Sequence, residues 1–146
     1  MNNSTKKHNE EVLKAACLAY QIDFKEVKLI RSNKNLIYDC GDKILRVSPS
    51  TIRKEKDIAA EINWLFFLME NNLPVVKIVP SKTGSKWKKI VDSSDYFTTV
   101  CFKKIIGEKV SKNYWNTTHF ERLGKLTGQL HRVGQQYENS AGITYQ

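Results

Sequence analysis

Apolar residues first recur along the chain at helical spacing. In NEEVLKAACLAYQI, Val12, Leu13, Ala16, Cys17 and Tyr20 share one face, the three-to-four-residue repeat of an amphipathic helix, and Asn9 stands where an N-cap would stand. The period then drops to two. FKEVKLIRS and NLIYDC read as strands joined by SNKN, and the glycine of CGD turns the chain into KILRVS, which predicts a three-stranded antiparallel meander. Pro49 and Ser50 end the third strand. Ser50 or Thr51 is the expected cap of a long helix to about Asn71, in which Ile58, Ile62, Leu65 and Leu68 or Met69 keep helical spacing. NNLPV stops it. VVKIVP, WKKIVD and YFTTVCFKKI follow as strand-like runs, with the SKTGSK turn between the first two. Gly107 breaks the pattern, and Phe120, Leu123, Leu126, Thr127 and Leu130 form one stripe of a helix over about Thr117 to Val133. The tail after it has weak periodicity and reads as a fraying end.

Helix, three strands, long helix, two or three strands, linker and helix is the order of an α+β domain, with the long helix packed on the sheet. One charge pair stands out in that arrangement. Glu61 lies beside the stripe of Ile58, Ile62 and Leu65, so it points toward the sheet, and a carboxylate placed there requires a cation. Arg46, on the third strand, is the candidate.

Composition changes this picture only a little. A chain of 146 residues with 40% hydrophobic and 27% charged residues buries a core without staples. No run approaches the roughly 18 apolar residues of a membrane span, and the polar start MNNSTKKHNEE lacks the apolar stretch of a signal peptide. The expectation is a cytoplasmic protein. Cys17, Cys40 and Cys101 form no CxxC pair and read as small core side chains. No metal site is expected, since His131 has no second ligand one turn away. The net charge of +9 favours anionic partners, yet the lysines are scattered. Their densest cluster, Lys82, Lys86, Lys88 and Lys89 around Trp87, looks like a solvated hairpin without the aromatic platform that stacks bases. Charge alone therefore argues weakly for nucleic acid. Trp64, Phe66 and Phe67 read as packing residues.

Four stretches, in order, resemble the aminoglycoside phosphotransferase and choline kinase-like family, whose fold is protein-kinase-like. NLIYDCGDKILRV resembles the family's asparagine–tyrosine strand and LRV strand. AAEINWLFFLMENNLPV resembles its helix and the exit from it. FKKIIGEKV resembles the way out of the small lobe, and FERLGKLTGQLHRV the first helix of the large lobe. The match runs over roughly residues 25 to 133. It implies a nucleotide-clasping small lobe, a five-stranded antiparallel sheet with one packed helix, over residues 1–107 with an N-terminal helix at 1–22. Residues 108–146 would then be a linker and the first helix of an incomplete large lobe.

The resemblance also implies roles. In kinases a basic residue on the third strand contacts nucleotide phosphates and pairs with a glutamate of the helix; here these are Arg46 and Glu61. Lysine is frequent at the first position, but a guanidinium can fork to carboxylate and phosphate together. The SNKN loop occupies the place of the glycine-rich cover, so Ser32, Asn33, Lys34 and Asn35 would hold phosphates through N–H groups, a hydroxyl and a lysine charge. The base, of ATP or GTP, would slot near Ile30, Ile37, Ile44 and Val79, with backbone groups of Lys103 and Ile105, after Phe102, taking its edge at the hinge.

Phosphoryl transfer also needs an aspartate for the acceptor hydroxyl and an asparagine and aspartate for Mg2+. The family carries them in the large lobe, in H-x-D-x-x-x-x-N and a later aspartate. His119 and His131 lack an aspartate two residues on, and no aspartate follows Asp95. No catalytic residue is thus expected in this chain, which alone would bind ATP weakly at best and transfer no phosphate. Mg2+ and a small-molecule hydroxyl substrate would be held by the large lobe. The reading leaves open whether the sequence is a fragment of such a kinase or a natural short protein. A different class also fits: an interaction module that reuses the kinase lobe to bind a protein or an anionic surface. The apolar stripe of FERLGKLTGQLHRV would give it a surface for self-association.

Overall fold

The computed structural model describes residues 3–92, 95–107 and 115–137. The elements are α1 (Asn3–Tyr20), a short 3-10 turn (Phe24–Glu26), β1 (Lys28–Ser32), β2 (Leu36–Cys40), β3 (Lys43–Pro49), α2 (Glu55–Glu70), β4 (Ile78–Val79), β5 (Lys88–Asp92), β6 (Asp95–Lys103) and α3 (Thr117–Gly134). The α+β class holds. The sequence-read linker at 108–114 and the tail from 138 lie outside the described residues.

The chain divides into two compact units, and the first comprises the described residues up to Ala59 together with Val76–Lys104. It contains the sheet. All pairings are antiparallel, in the order β1-β2-β3-β6-β4, with β5 also on β6. The six strands fill five positions. β5 pairs with the first half of β6, at Asp95 to Thr99, and β4 with its end, at Cys101 and Phe102, so the two share one edge of β6. The expected five-stranded sheet is therefore this one, with its last position built from two short strands.

One core cluster lies on the α1 face of the sheet. Val12, Leu13, Ala16, Cys17 and Tyr20 of α1 pack with Tyr38, Cys40, Leu45, Val47 and Cys101. Leu45 and Val47 alternate with Arg46 along β3, so a strand of period two sends them to the α1 side and the arginine to the other. Burying each such aliphatic side chain stabilises the fold by about 1.5–3 kcal/mol. The Tyr20 hydroxyl donates to the Thr99 carbonyl at 2.8 Å, which fixes the end of α1 on β6. Burial pushes the Tyr20 phenol up to about 12, and pushes the Cys40 and Cys101 thiols up to about 11 and about 12.

Two helix starts differ from expectation. α1 begins at Asn3, so Asn9 lies inside it. α2 begins at Glu55, where the Asp57 carboxylate accepts the Lys54 N–H at 2.9 Å. Ser50 is engaged elsewhere: its hydroxyl donates to Asp95 and its N–H to the Tyr96 carbonyl. The serine ties the end of β3 to the start of β6 and caps nothing.

The second unit comprises Ala60–Val75 with the described residues from Ile105 on. Most of α2 therefore groups with α3, whereas the sequence division kept residues 1–107 together. Within this unit Trp64 meets Tyr137 edge-on, with ring centroids 4.7 Å apart, and Phe67 lies 4.9 Å from the same ring. Ile62, Leu68 and Leu73 are buried. Asn116 caps α3, accepting the His119 N–H at 3.1 Å.

Candidate nucleotide-binding face

The face of the sheet opposite α1 carries two rows of side chains, fixed by strand register. In the first, Arg31 of β1 stands opposite Ile37 of β2, Ile37 opposite Arg46 of β3, and Arg46 opposite Val100 of β6. In the second, Lys28 stands opposite Asp39, Asp39 opposite Ile44, Ile44 opposite Phe102, and Phe102 opposite Ile78 of β4. Neighbouring strands lie roughly 4.8 Å apart, so the rows form one continuous face, with Lys28 and Arg31 on the edge strand, Arg46 on the central strand, Asp39 between Lys28 and Ile44, and Ile37, Ile44, Phe102 and Ile78 as its apolar part.

Arg46 sits beside that apolar part. Its guanidinium lies 5.3 Å from the centroid of the Phe102 ring, within cation–π range. Both side chains are half-buried. Phe102 thus holds the arginine across the sheet while presenting the rest of its ring beside Ile44. Glu61 belongs to the second unit and is half-buried in α2.

The register brings Ile37, Ile44, Arg46 and Phe102 together on one face. It does not bring Val79 there. Val79 packs against the core on the α1 side, and its neighbour Ile78 stands beside Phe102 instead. A two-residue strand offers no alternation from which the phase could be read. Ser32 is likewise displaced, because it pairs with Leu36, which packs on the core side. Asn33 and Lys34 are exposed at the hairpin tip, where the Asn33 N–H donates to the Asn35 carbonyl at 3.3 Å. Asn35 Oδ1 is buried without a hydrogen-bond partner among the described residues.

Arg31 is the residue that sequence reasoning missed. From Lys28 opposite Asp39 and Leu29 opposite Tyr38, a regular ladder would put Ile30 opposite Ile37 and Arg31 opposite Leu36. Instead the register shifts between Leu29 and Arg31. Ile30 is the extra residue of a β-bulge, so Ile30 and Arg31 together face Ile37.

The hinge segment is held by its own bonds. The Lys103 N–H donates to the Lys77 carbonyl at 2.8 Å and the Lys104 N–H to the Asp42 carbonyl at 2.9 Å, so of the Lys103 backbone groups the N–H is already used. The Lys103 ammonium bonds Asp42 and the Lys104 ammonium bonds Asp39, each at 2.6 Å. These hydrogen bonds hold both carboxyls below the usual carboxylate range. They fasten the end of β6 to the β2–β3 turn. Ile105 follows, exposed, and its N–H makes no backbone hydrogen bond among the described residues.

No protein-family model matches the chain. An amicoumacin kinase of Bacillus subtilis (strain 168) is 30% identical over 139 residues, 91% of this chain and 41% of that protein. The chain thus spans about two fifths of the length of the curated relative it matches. A solved amicoumacin kinase in complex with AMP-PNP, Ca2+ and Ami is similar with a TM-score of 0.86 and 28% identity, over 96% of this chain and 44% of that one. The microcompartment-associated aminopropanol kinase follows at TM-score 0.72 and 21% identity, over 94% and 44% of the two chains. A spectinomycin phosphotransferase in complex with ADP and spectinomycin gives 0.61 and 12%, over 88% and 41%. The last two likenesses bear on the fold alone. In sequence the chain is similar to amicoumacin kinase, and in fold to amicoumacin, aminopropanol and spectinomycin kinases, over two fifths or a little more of each.

Proposed function

We propose that this chain is the nucleotide-binding N-terminal part of an ATP- or GTP-dependent phosphotransferase acting on a small molecule with a free hydroxyl. The observation that carries the reading is the placement of Arg46 beside the apolar patch of Ile37, Ile44 and Phe102. A flat apolar surface suits a purine, and a guanidinium at its margin suits the phosphates attached to that purine. The amicoumacin kinase complex with AMP-PNP supports a nucleotide as the ligand. In this reading Ile30 and Ile78 extend the apolar wall, the Ile105 N–H and the Lys103 carbonyl offer hydrogen bonds to the base, and Asn33, Lys34 and Asn35 cover the phosphates.

The chemistry of transfer lies with residues this sequence does not contain. It has no aspartate after Asp95, so neither the acceptor-orienting aspartate nor the Mg2+-holding pair of the resemblance is present. Mg2+ and the acceptor accordingly belong to a large lobe. The 146-residue chain is expected to bind nucleotide weakly and to transfer no phosphate.

The test is to titrate ATP into the wild-type chain, Arg46→Ala and Lys88→Ala. Lys88 pairs with Thr99, opposite Val47 on the core side of the sheet, so its charge lies off the proposed face. Arg46→Ala should weaken ATP binding by roughly tenfold or more, the scale of one charge-assisted contact, and Lys88→Ala should change it little. Equal losses would remove the assigned role. One observation favours a second reading, an interaction module: α3 has no buried residue, and Phe120 is 60% exposed. Binding to an anionic surface would fall steeply with salt and would be competed by unlabelled nucleic acid. The nucleotide face would depend instead on Arg46.

A further inference from the structure

We propose that Arg31 is a second phosphate-binding cation, delivered to the nucleotide face by the β-bulge at Ile30; this rests on the nucleotide reading above. β1 is exposed at all five positions and forms the edge of the sheet. An edge strand without burial gains nothing in packing from an irregular ladder, and a bulge interrupts its hydrogen bonds. Its effect here is on direction. With a period of two throughout, Arg31 would share the side of Leu36 and the α1 core. With one extra residue, it shares the side of Ile37 and Arg46. Bulges act in this way, re-aiming a side chain by one position.

The result is two arginines in one row across three strands, Arg31 and Arg46, flanking Ile37. Their backbones are roughly 10 Å apart, two interstrand spacings. Each guanidinium sits on a long stem, so the pair can close on a group of several phosphates from two sides. Arg31 is exposed and makes no ion pair or hydrogen bond among the described residues. Its charge is therefore available to a ligand without breaking a contact. Lys34, at the tip of the same hairpin, is also exposed. Two arginines in one row and a lysine at the tip of the adjoining hairpin fit a nucleoside triphosphate better than a monophosphate or a bare nucleoside.

The experiment is calorimetric titration of the 146-residue chain with ATP, ADP and adenosine, for wild type, Arg31→Gln, Arg31→Lys and Arg46→Ala, each checked for native circular dichroism. Arg31→Gln should lose about tenfold in affinity for ATP, less for ADP, and nothing for adenosine. Arg31→Lys should restore most of the loss. If Arg31→Gln binds ATP as wild type does while Arg46→Ala does not, the role of Arg31 is overturned and the nucleotide reading stands. If Arg31→Gln weakens ATP and adenosine equally, the residue is structural, and the proposal also falls. A wild-type chain that binds neither ATP nor adenosine would overturn the nucleotide reading and Arg31 with it.

Discussion

At the scale of single residues, the Tyr20 hydroxyl is inside the core and bonds a backbone carbonyl of β6. Tyr20→Phe removes the buried hydroxyl that bonds the Thr99 carbonyl and accepts from the Thr99 hydroxyl, at a cost of about 1–2 kcal/mol, readable as a shift in the denaturant midpoint. The same core groups set a pH limit. Burial raises Tyr20, Cys40 and Cys101 above their ordinary values of 10.0, 9.0 and 9.0, to about 12, 11 and 12. In the unfolded chain they ionise at the ordinary values, so their contribution is complete below about pH 8.5 and is lost as pH rises toward 11–12. Stability measured from pH 7 to 11 should be flat to about 8.5 and fall above it; a maximum at pH 10 would contradict this. The three buried thiols should also resist a thiol reagent at pH 8 until denaturant is added.

At the scale of elements, strand and helix types were legible in the sequence, because each segment buries one face and so repeats with a period of its own. The α1 stripe of Val12, Leu13, Ala16, Cys17 and Tyr20 is the observed core face. What the period could not show was phase where the ladder is irregular or short. The bulge at Ile30 moves Arg31 across the sheet, and β4 is too brief to reveal that Ile78, and not Val79, stands beside Phe102. The start of α2 was hidden for a different reason, since the long-range contact of Ser50 with Asp95, 45 residues on, takes the expected cap and leaves Asp57 to accept the Lys54 N–H. Glycines separate two environments. Gly41 has φ +73° in the β2–β3 turn, and Gly41→Ala should cost about 1 kcal/mol or more in a left-handed conformation. Gly124 and Gly128 lie inside α3 with nothing near an added Cβ. Alanine there should raise the helix signal or the thermal midpoint, by up to about 1 kcal/mol each.

At the scale of the whole molecule, the chain joins a sheet-bearing unit to a second unit in which α3 keeps its stripe in solvent. Exposed Phe120, Leu123, Leu126 and Leu130 form a continuous apolar surface of the kind that associates. Sedimentation should show concentration-dependent self-association, and Phe120→Ser with Leu123→Ser should abolish it; identical behaviour of the two proteins would dismiss the surface. Among the described residues no helix is long and apolar enough to cross a membrane. The cations behind the +9 charge are scattered along the chain, and nucleotide binding is proposed for the face that carries Arg31 and Arg46. The most direct measurement is an NMR titration of the isotope-labelled chain with ATP, read residue by residue. Shifts concentrated at Arg31, Ile37, Ile44, Arg46 and Phe102, and lost in Arg46→Ala, are the predicted result. Shifts confined to the turn from Lys82 to Lys89, or none at saturating ATP, would contradict the claim that this face holds a nucleotide.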